Sequence, residues 1–242
     1  MIEEQSKALD DYFVIKMHTA KRCLDLIGAC VGIVLASPIL IFLAVFIKLV
    51  SPGPVLFNQT RIGRGGTKFT CYKFRTMHPN VETKSHQAYL SQLIGCNEGS
   101  CGAEMPMTKI EDKSKILPMG ILIRSMGLDE LPQLFNVLKG EMSIVGPRPA
   151  IPYEVIEYHL WHKLRLDTTP GITGLWQVSG KNKLSFKEMI RLDYQYSQQQ
   201  SLWLDLKIIF KTPYAVVRQV WDHIKVKKIQ SRRSFKNYSQ SR

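Results

Sequence analysis

From Leu26 to Ile47 the chain carries 22 residues without a charge, and this run restricts the fold more than any other stretch. At a rise of about 1.5 Å per residue a straight helix of that length reaches roughly 33 Å, enough to span a bilayer core. Ser37 and Pro38 stand in its middle. Proline has no N–H to donate and clashes with the carbonyl four residues back, so a kink or break is expected there, with Ser37 able to supply a local hydrogen bond. In a membrane bundle neighbouring helices repair such a break, but no second apolar span of this length follows.

Lys16, Lys21 and Arg22 precede the run, and Lys48, Arg61, Arg64, Lys68, Lys73 and Arg75 follow it. Both flanks therefore favour the same, cytoplasmic side. Two readings stay open, a kinked spanning anchor and a re-entrant hairpin, and the charges lean toward the hairpin, which puts the N-terminus and the globular part on one face. A cleaved signal peptide fits poorly, because the apolar region is too long and Glu3, Glu4, Asp10 and Asp11 lie ahead of it.

A composition of 45% hydrophobic and 22% charged residues excludes wholesale disorder. The 33 Lys and Arg against 20 Asp and Glu give a net charge of +13, which implies anionic partners: nucleic acid, acidic lipid head groups or phosphorylated substrates. Residues 207–242 hold ten of these cations and a single acid, Asp222. Five cysteines, at 23, 30, 71, 96 and 101, form no dense framework and read as thiols of a reducing compartment. Cys96 and Cys101 lack a second ligand pair at metal-site spacing and read as loop thiols.

Residues 55–77 predict two strands around a Gly65-Gly66 turn. The glycine-rich tip could instead cradle phosphate, although no helix start follows it. Lys73 and Arg75, two apart, share a strand face that could hold phosphates or simply be solvated. Residues 78–118 are polar and weakly periodic, with a short helix expected near Gln87 to Ile94. Toward the C-terminus, apolar clusters alternate with Lys and Arg at near-helical spacing, with Trp203, Tyr214 and Trp221 among them. That pattern suits helices lying on an anionic membrane surface, and equally a core-packing helix followed by a solvated tail.

The segment RSMGLDELPQLFNVLKGEMSIVGPRP, 124–149, carries the chemistry. Pro132 suits a first helical turn, Leu134, Phe135, Val137 and Leu138 give an apolar side, and Lys139-Gly140 a cationic last turn and stop. Asp129 and Glu130 then stand at the amino end, where acids ordinarily serve as caps. The same end attracts phosphate, and Arg124 and Arg148 offer planar forks for phosphate oxygens. Pro147 and Pro149 restrict the backbone about Arg148.

At this point the chain resembles a known family, the bacterial sugar transferases, or monotopic phosphoglycosyl transferases. The matching residues run from KRCLD through the Ser37-Pro38 break, SPGPVLFNQTRIG, YKFRTM, LDELPQLFNVLKGEMSIVGPRP, PGITGLWQVSGKN and SLWLDLKIIFKT. The resemblance implies an α+β, mainly helical protein: an N-terminal segment 1–20, a re-entrant membrane helix 21–50 broken at Ser37-Pro38, a catalytic unit 51–225 with a small β-hairpin and interfacial amphipathic helices, and a basic tail 226–242. It implies attachment to the cytoplasmic face of the bacterial inner membrane, with Lys21, Arg22 and Asp25 at the membrane edge, and a chain that is the catalytic unit alone.

The activity it implies is transfer of sugar 1-phosphate from a UDP-sugar to polyprenyl (undecaprenyl) phosphate, releasing UMP and initiating exopolysaccharide, capsule or O-antigen assembly. Asp129 would be the nucleophile, Glu130 a ligand of Mg2+, and Arg124, Arg148, Pro147, Pro149, Lys73 and Arg75 the phosphate-binding set. A carboxylate is already ionised near neutral pH and needs no general base. Galactose or glucose is the expected sugar, and a homodimer is compatible. Departures are Thr168-Thr169 where relatives carry a basic residue before PGITG, Lys115 for a common Arg, and Gly127 for a common Ser. Two competing readings are a glycosyltransferase that releases UDP and a basic membrane-surface adaptor. No nucleic-acid partner is expected, since the aromatic residues are not interleaved with the cations.

Overall fold

The structure, a computed structural model, describes residues 19–78, 88–91, 94 and 115–240, and of 182, 223 and 226–240 only the backbone. The expectations for the N-terminal segment, for Cys96 and Cys101 and for the tail side chains lie outside those residues.

The fold is mainly helical with two small sheets. Helix α1 (Thr19–Val50) leads into the antiparallel hairpin β1 (Leu56–Ile62) and β2 (Lys68–Phe74). Gly65 and Gly66 turn the hairpin with φ of 63° and 77°, a conformation glycine adopts without penalty, so the turn reading holds. Tyr89 to Ser91 and Ile94 are helical, and Leu90 and Ile94 are buried, as the expected short helix requires. Next come α2 (Gly120–Ser125), a tight 3-10 turn at Leu128–Glu130, and α3 (Gln133–Lys139), which Gly140 stops at φ 85°.

Strands β3 (Ser143–Val145) and β4 (Gly171–Thr173) pair in parallel, a sheet that strands of only three residues gave no sign of. Between them lie α4 (Pro152–Ile156) and α5 (Leu160–Lys163); α6 (Leu175–Ser179), α7 (Phe186–Gln199) and α8 (Leu202–Gln240) follow. Where the loop after β3 passes the one before β4, a Cβ on Gly146 would run into the Thr169 carbonyl oxygen, so the two backbones touch.

The main core joins Ile62, Ile151, Tyr158, Trp176 and Phe186. α7 contributes to it because Phe186, Met189, Ile190, Asp193 and Tyr196 recur at helical spacing on its buried face. Ser185 caps this helix, accepting from the Glu188 amide at 3.2 Å.

Helix α1 is attached to this body at both ends. Near its start, Lys21 Nζ donates to the Val145 carbonyl at 3.1 Å and pairs with Asp205 at 2.7 Å, while Asp25 Oδ1 accepts from the Ile144 amide at 2.9 Å. Arg22 donates to the Val137 and Leu138 carbonyls at the last turn of α3. Near its end, Leu43 and Ile47 are buried with Phe74, Leu117 and Ile123. In between, Val31, Val34, Leu35, Ile39, Ile41 and Phe42 are exposed. Lys21 and Asp25, expected at a membrane edge, are thus buried in the joint between helix and body.

The expected break at Ser37-Pro38 is not a break in helical structure, since α1 runs through it. Pro38 leaves the Val34 carbonyl without its usual partner, and Ser37 Oγ donates to that oxygen at 2.8 Å. The serine side chain replaces the missing N–H, which is why the helix continues. The C-terminal segment, read as helices in the plural, is a single helix that continues past Pro213.

Candidate active site

Asp129 and Glu130 sit on their own 3-10 turn, one step ahead of α3, which begins only after Pro132 at its N-cap. The acids thus stand at the amino end of the helix, as expected, but on a turn of their own, and Pro132 caps the helix instead of lying in its first turn. Gly127, at φ 71°, opens the turn, and its amide donates to the Arg124 carbonyl at 3.2 Å. Glycine supplies that left-handed conformation at no steric cost, which accounts for Gly127 ahead of the acids.

The two acids differ in exposure. Asp129 is 8% exposed, whereas the Glu130 side chain keeps 33%. Lys73, projecting from β2, binds Glu130 Oε1 at 2.9 Å. In the hairpin register Lys73 lies opposite Phe57, Cys71 opposite Gln59 and Phe69 opposite Arg61, so these six share the face turned toward the acid turn.

Arg61 is 5% exposed. Its guanidinium donates to the Pro149 carbonyl at 2.8 Å and to Gln59 Oε1 at 2.6 Å. Burial, with the neighbouring Arg148 charge, lowers its pKa to about 10 against the opposite pull of Cys71, Glu154 and Glu130. Burial pushes the Cys71 thiol up, which keeps it a neutral wall rather than a nucleophile. Lys73 therefore pairs with the outer acid directly, Arg61 acts on it electrostatically, and the Arg148 charge lies beside that of Arg61.

The Pro147-Arg148-Pro149 loop is held by its backbone. The Pro147 carbonyl accepts from the Gly171 amide at 2.8 Å, that of Arg148 from Arg165 at 2.8 Å, and that of Ala150 from the Ile62 amide at 2.9 Å. The Arg148 side chain, 23% exposed, lies 3.5 Å from Glu154. Glu154 is fully buried and accepts from Tyr158 at 2.6 Å. Burial raises the Glu154 pKa, but Arg148, Arg165, the Tyr158 hydroxyl and Arg61 together bring it below the ordinary value. Arg165 also pairs with Asp193 at 2.6 Å. Burial opposes its charge, yet Tyr158, Asp193 and Glu154 keep it above the usual arginine value.

Of the expected site residues the structure brings together Glu130, Lys73 and Arg148, with Asp129 on the same turn and Arg124 half-buried at the end of α2. It removes Arg75 from the set. That guanidinium donates to the Ser51 and Pro52 carbonyls at 2.8 and 2.7 Å, and so fastens the end of α1 instead of facing the acids. Pro147 and Pro149 contribute carbonyls and rigidity. Arg61, Glu154, Arg165 and Asp193 were not singled out from sequence; Asp193 alone left a trace, an acid in the middle of an apolar helical stripe.

Among the described residues no group of three His, Cys, Asp or Glu gathers. A divalent ion that takes one or two carboxylates and completes its shell with substrate phosphate oxygens suits such a donor set, as Mg2+ commonly does.

A sequence model of the bacterial sugar transferase family matches residues 16–219. The chain is 43% identical over 195 residues to the galactosyl transferase CpsE of Streptococcus agalactiae, covering 80% of this chain and 41% of that protein. It is 37% identical over 197 residues to the exopolysaccharide production protein ExoY of Rhizobium meliloti, covering 81% and 85%. Against the undecaprenyl-phosphate galactose phosphotransferase of Salmonella typhimurium the identity is 39% over 207 residues, covering 82% of this chain and 40% of that protein.

Proposed function

We propose, from the premise that this chain belongs to the bacterial sugar transferase family, that it transfers sugar 1-phosphate from a UDP-sugar to undecaprenyl phosphate at a membrane surface and so begins polysaccharide assembly. The carrying observation is the pairing of a buried acid, Asp129, with a half-exposed one, Glu130, that Lys73 holds amid the charges of Arg61 and Arg148.

In the first step an Asp129 carboxylate oxygen bonds to the phosphorus that carries the sugar, and the bond from that phosphorus to the oxygen bridging to UMP breaks, UMP leaving with the electron pair. In the second, a phosphate oxygen of the lipid bonds to the same phosphorus and the Asp129 carboxylate departs unchanged. One difficult transfer becomes two easier ones. Lys73, Arg61 and Arg148 offset the repulsion between an anionic nucleophile and a diphosphate. Arg124 and Arg148 orient the phosphates, and the burial of Asp129 keeps water from the acyl phosphate. Mg2+ would be held by Glu130 and donor oxygens and would neutralise charge on the departing nucleotide. Galactose or glucose is the proposed sugar; the printed names of the streptococcal and Salmonella relatives support the first.

The cytoplasmic face of the inner membrane is the proposed location, with the apolar centre of α1 dipping into one leaflet. Between the buried Ala29 and the buried Leu43 the helix has only ~21 Å of contour, at about 1.5 Å per residue, whereas crossing a core of about 30 Å and returning needs far more. A body on one side cannot receive both ends of a crossing that short.

The test is a lipid-free incubation of the protein with Mg2+ and labelled UDP-sugar. Label is expected on the protein, with about one UMP per active site, and Asp129→Asn should lose both. Release of UDP would support simple glycosyl transfer instead. A first UMP that appears only when lipid is added would overturn the covalent route.

A further inference from the structure

At the opposite end of the hairpin from the acid turn lies a cavity of about 350 Å3 lined by none of the residues assigned to the transfer reaction. Arg64, Lys68 and Lys139 supply three cations, and Thr67 and Thr169 line it beside a single acid, Glu141. That acid is already engaged, accepting from Asn136 Nδ2 at 2.6 Å. Arg64 Nη2 is buried with no hydrogen-bond partner among the described residues, although Asp167 is close enough to raise the Arg64 pKa while burial lowers it. A buried guanidinium nitrogen without an acceptor is costly unless a ligand supplies one.

The cavity is separate from the dyad, because Lys68 and Lys73 lie at the two ends of β2, about 17 Å apart at roughly 3.3–3.4 Å per residue. It lies at the foot of the apolar helix. A Cβ on Gly140, one of its lining residues, would meet Arg22 Nη2 at 3.6 Å, and Arg22 comes just before the uncharged run. Arg22 also occupies the Val137 and Leu138 carbonyls, which cancels the negative end of α3 that would otherwise repel an anion. The one aromatic lining residue, Phe69, is 9% exposed and packed in a core cluster, so no open ring face is offered to a nucleotide base.

We propose that this cavity binds the phosphate of an anionic membrane lipid head group, fixing the body against the bilayer at a point distinct from the acid pair. Arg64 and the two lysines donate to the phosphate oxygens, while Thr67, whose hydroxyl donates to the Arg64 carbonyl at 2.9 Å, holds the turn that carries Arg64. Lys68 and Lys139 are exposed at the rim, so their removal leaves the core intact.

The full chain in a neutral detergent, examined by native mass spectrometry with added phosphatidylglycerol or phosphatidylcholine, tests the proposal. One phosphatidylglycerol should be retained in preference to phosphatidylcholine. Lys68→Ala with Lys139→Ala should weaken that retention about tenfold or more, as loss of charge-assisted bonds does. An equal charge change on α8, Lys207→Ala with Lys225→Ala, should alter it by less than about twofold. Equal losses in both double variants, equal retention of the two lipids, or displacement of the lipid by UDP would each overturn the proposal. The readout is bound lipid and needs no turnover, so its outcome and that of the transfer reaction are independent.

Discussion

Glu154 shows what a single buried side chain does for the site. It joins Arg148, Arg165 and Tyr158 without exposed surface of its own, so Glu154→Gln removes one partner from a buried charge cluster, a change that costs about 3–5 kcal/mol. The folded-state pKa lies below the ordinary 4.5. Its contribution is therefore complete above about pH 4.5 and is lost as pH falls through the lowered value. Thermal unfolding of the two proteins in detergent should show a constant gap at neutral pH that narrows below that point, because the wild-type acid is then protonated as well; a gap unchanged by acidification would mean that Glu154 is neutral when folded. Asp129, Glu130 and Lys73 were singled out through the family resemblance, because an acid pair ahead of a helix and a basic strand residue are, as local patterns, those of caps and a solvated face. Arg61 and Arg165 were not, because their partners are backbone carbonyls about 88 and 17 positions away, and nothing nearby in the chain announces them.

Among the elements, α1 is where local rule and outcome diverge most instructively. Proline was correctly read as a threat to the helix, and serine as the nearby remedy, but the outcome depended on which carbonyl was orphaned. Ser37 Oγ reaches the Val34 oxygen, so the helix survives. Ser37→Ala should then cost about 1–3 kcal/mol of stability with the helix in detergent hydrocarbon, the penalty for an acceptor left unmatched away from water, while Ser37→Thr, which keeps the hydroxyl, should lose much less; unfolding midpoints in detergent distinguish them, and equal losses would show that the hydroxyl is not what matters. The hairpin was legible from its strand composition and paired glycines. The β3–β4 sheet was not, since strands of three residues carry too little alternation, and their pairing depends on glycines whose role is visible only where two backbones meet.

For the molecule as a whole, the sequence left a choice between an anchor that crosses and one that returns, and joint attachment at Lys21 and at Ile47 favours return. Single cysteines at Thr19 and Leu56, in a background without the other thiols, should both react with an impermeant maleimide in inverted membrane vesicles and neither should react in intact spheroplasts; labelling from opposite sides would establish a crossing. Composition had already indicated an anionic environment, and the cations at the foot of α1 give that general charge a place. A helix held by one body at both ends, dipping into one leaflet as proposed, also has a mechanical side. A bilayer that takes it in would gain area in one leaflet and none in the other, so each inserted copy would press its sheet toward bulging on the protein's side, and lateral tension there would help decide how many copies a membrane accepts.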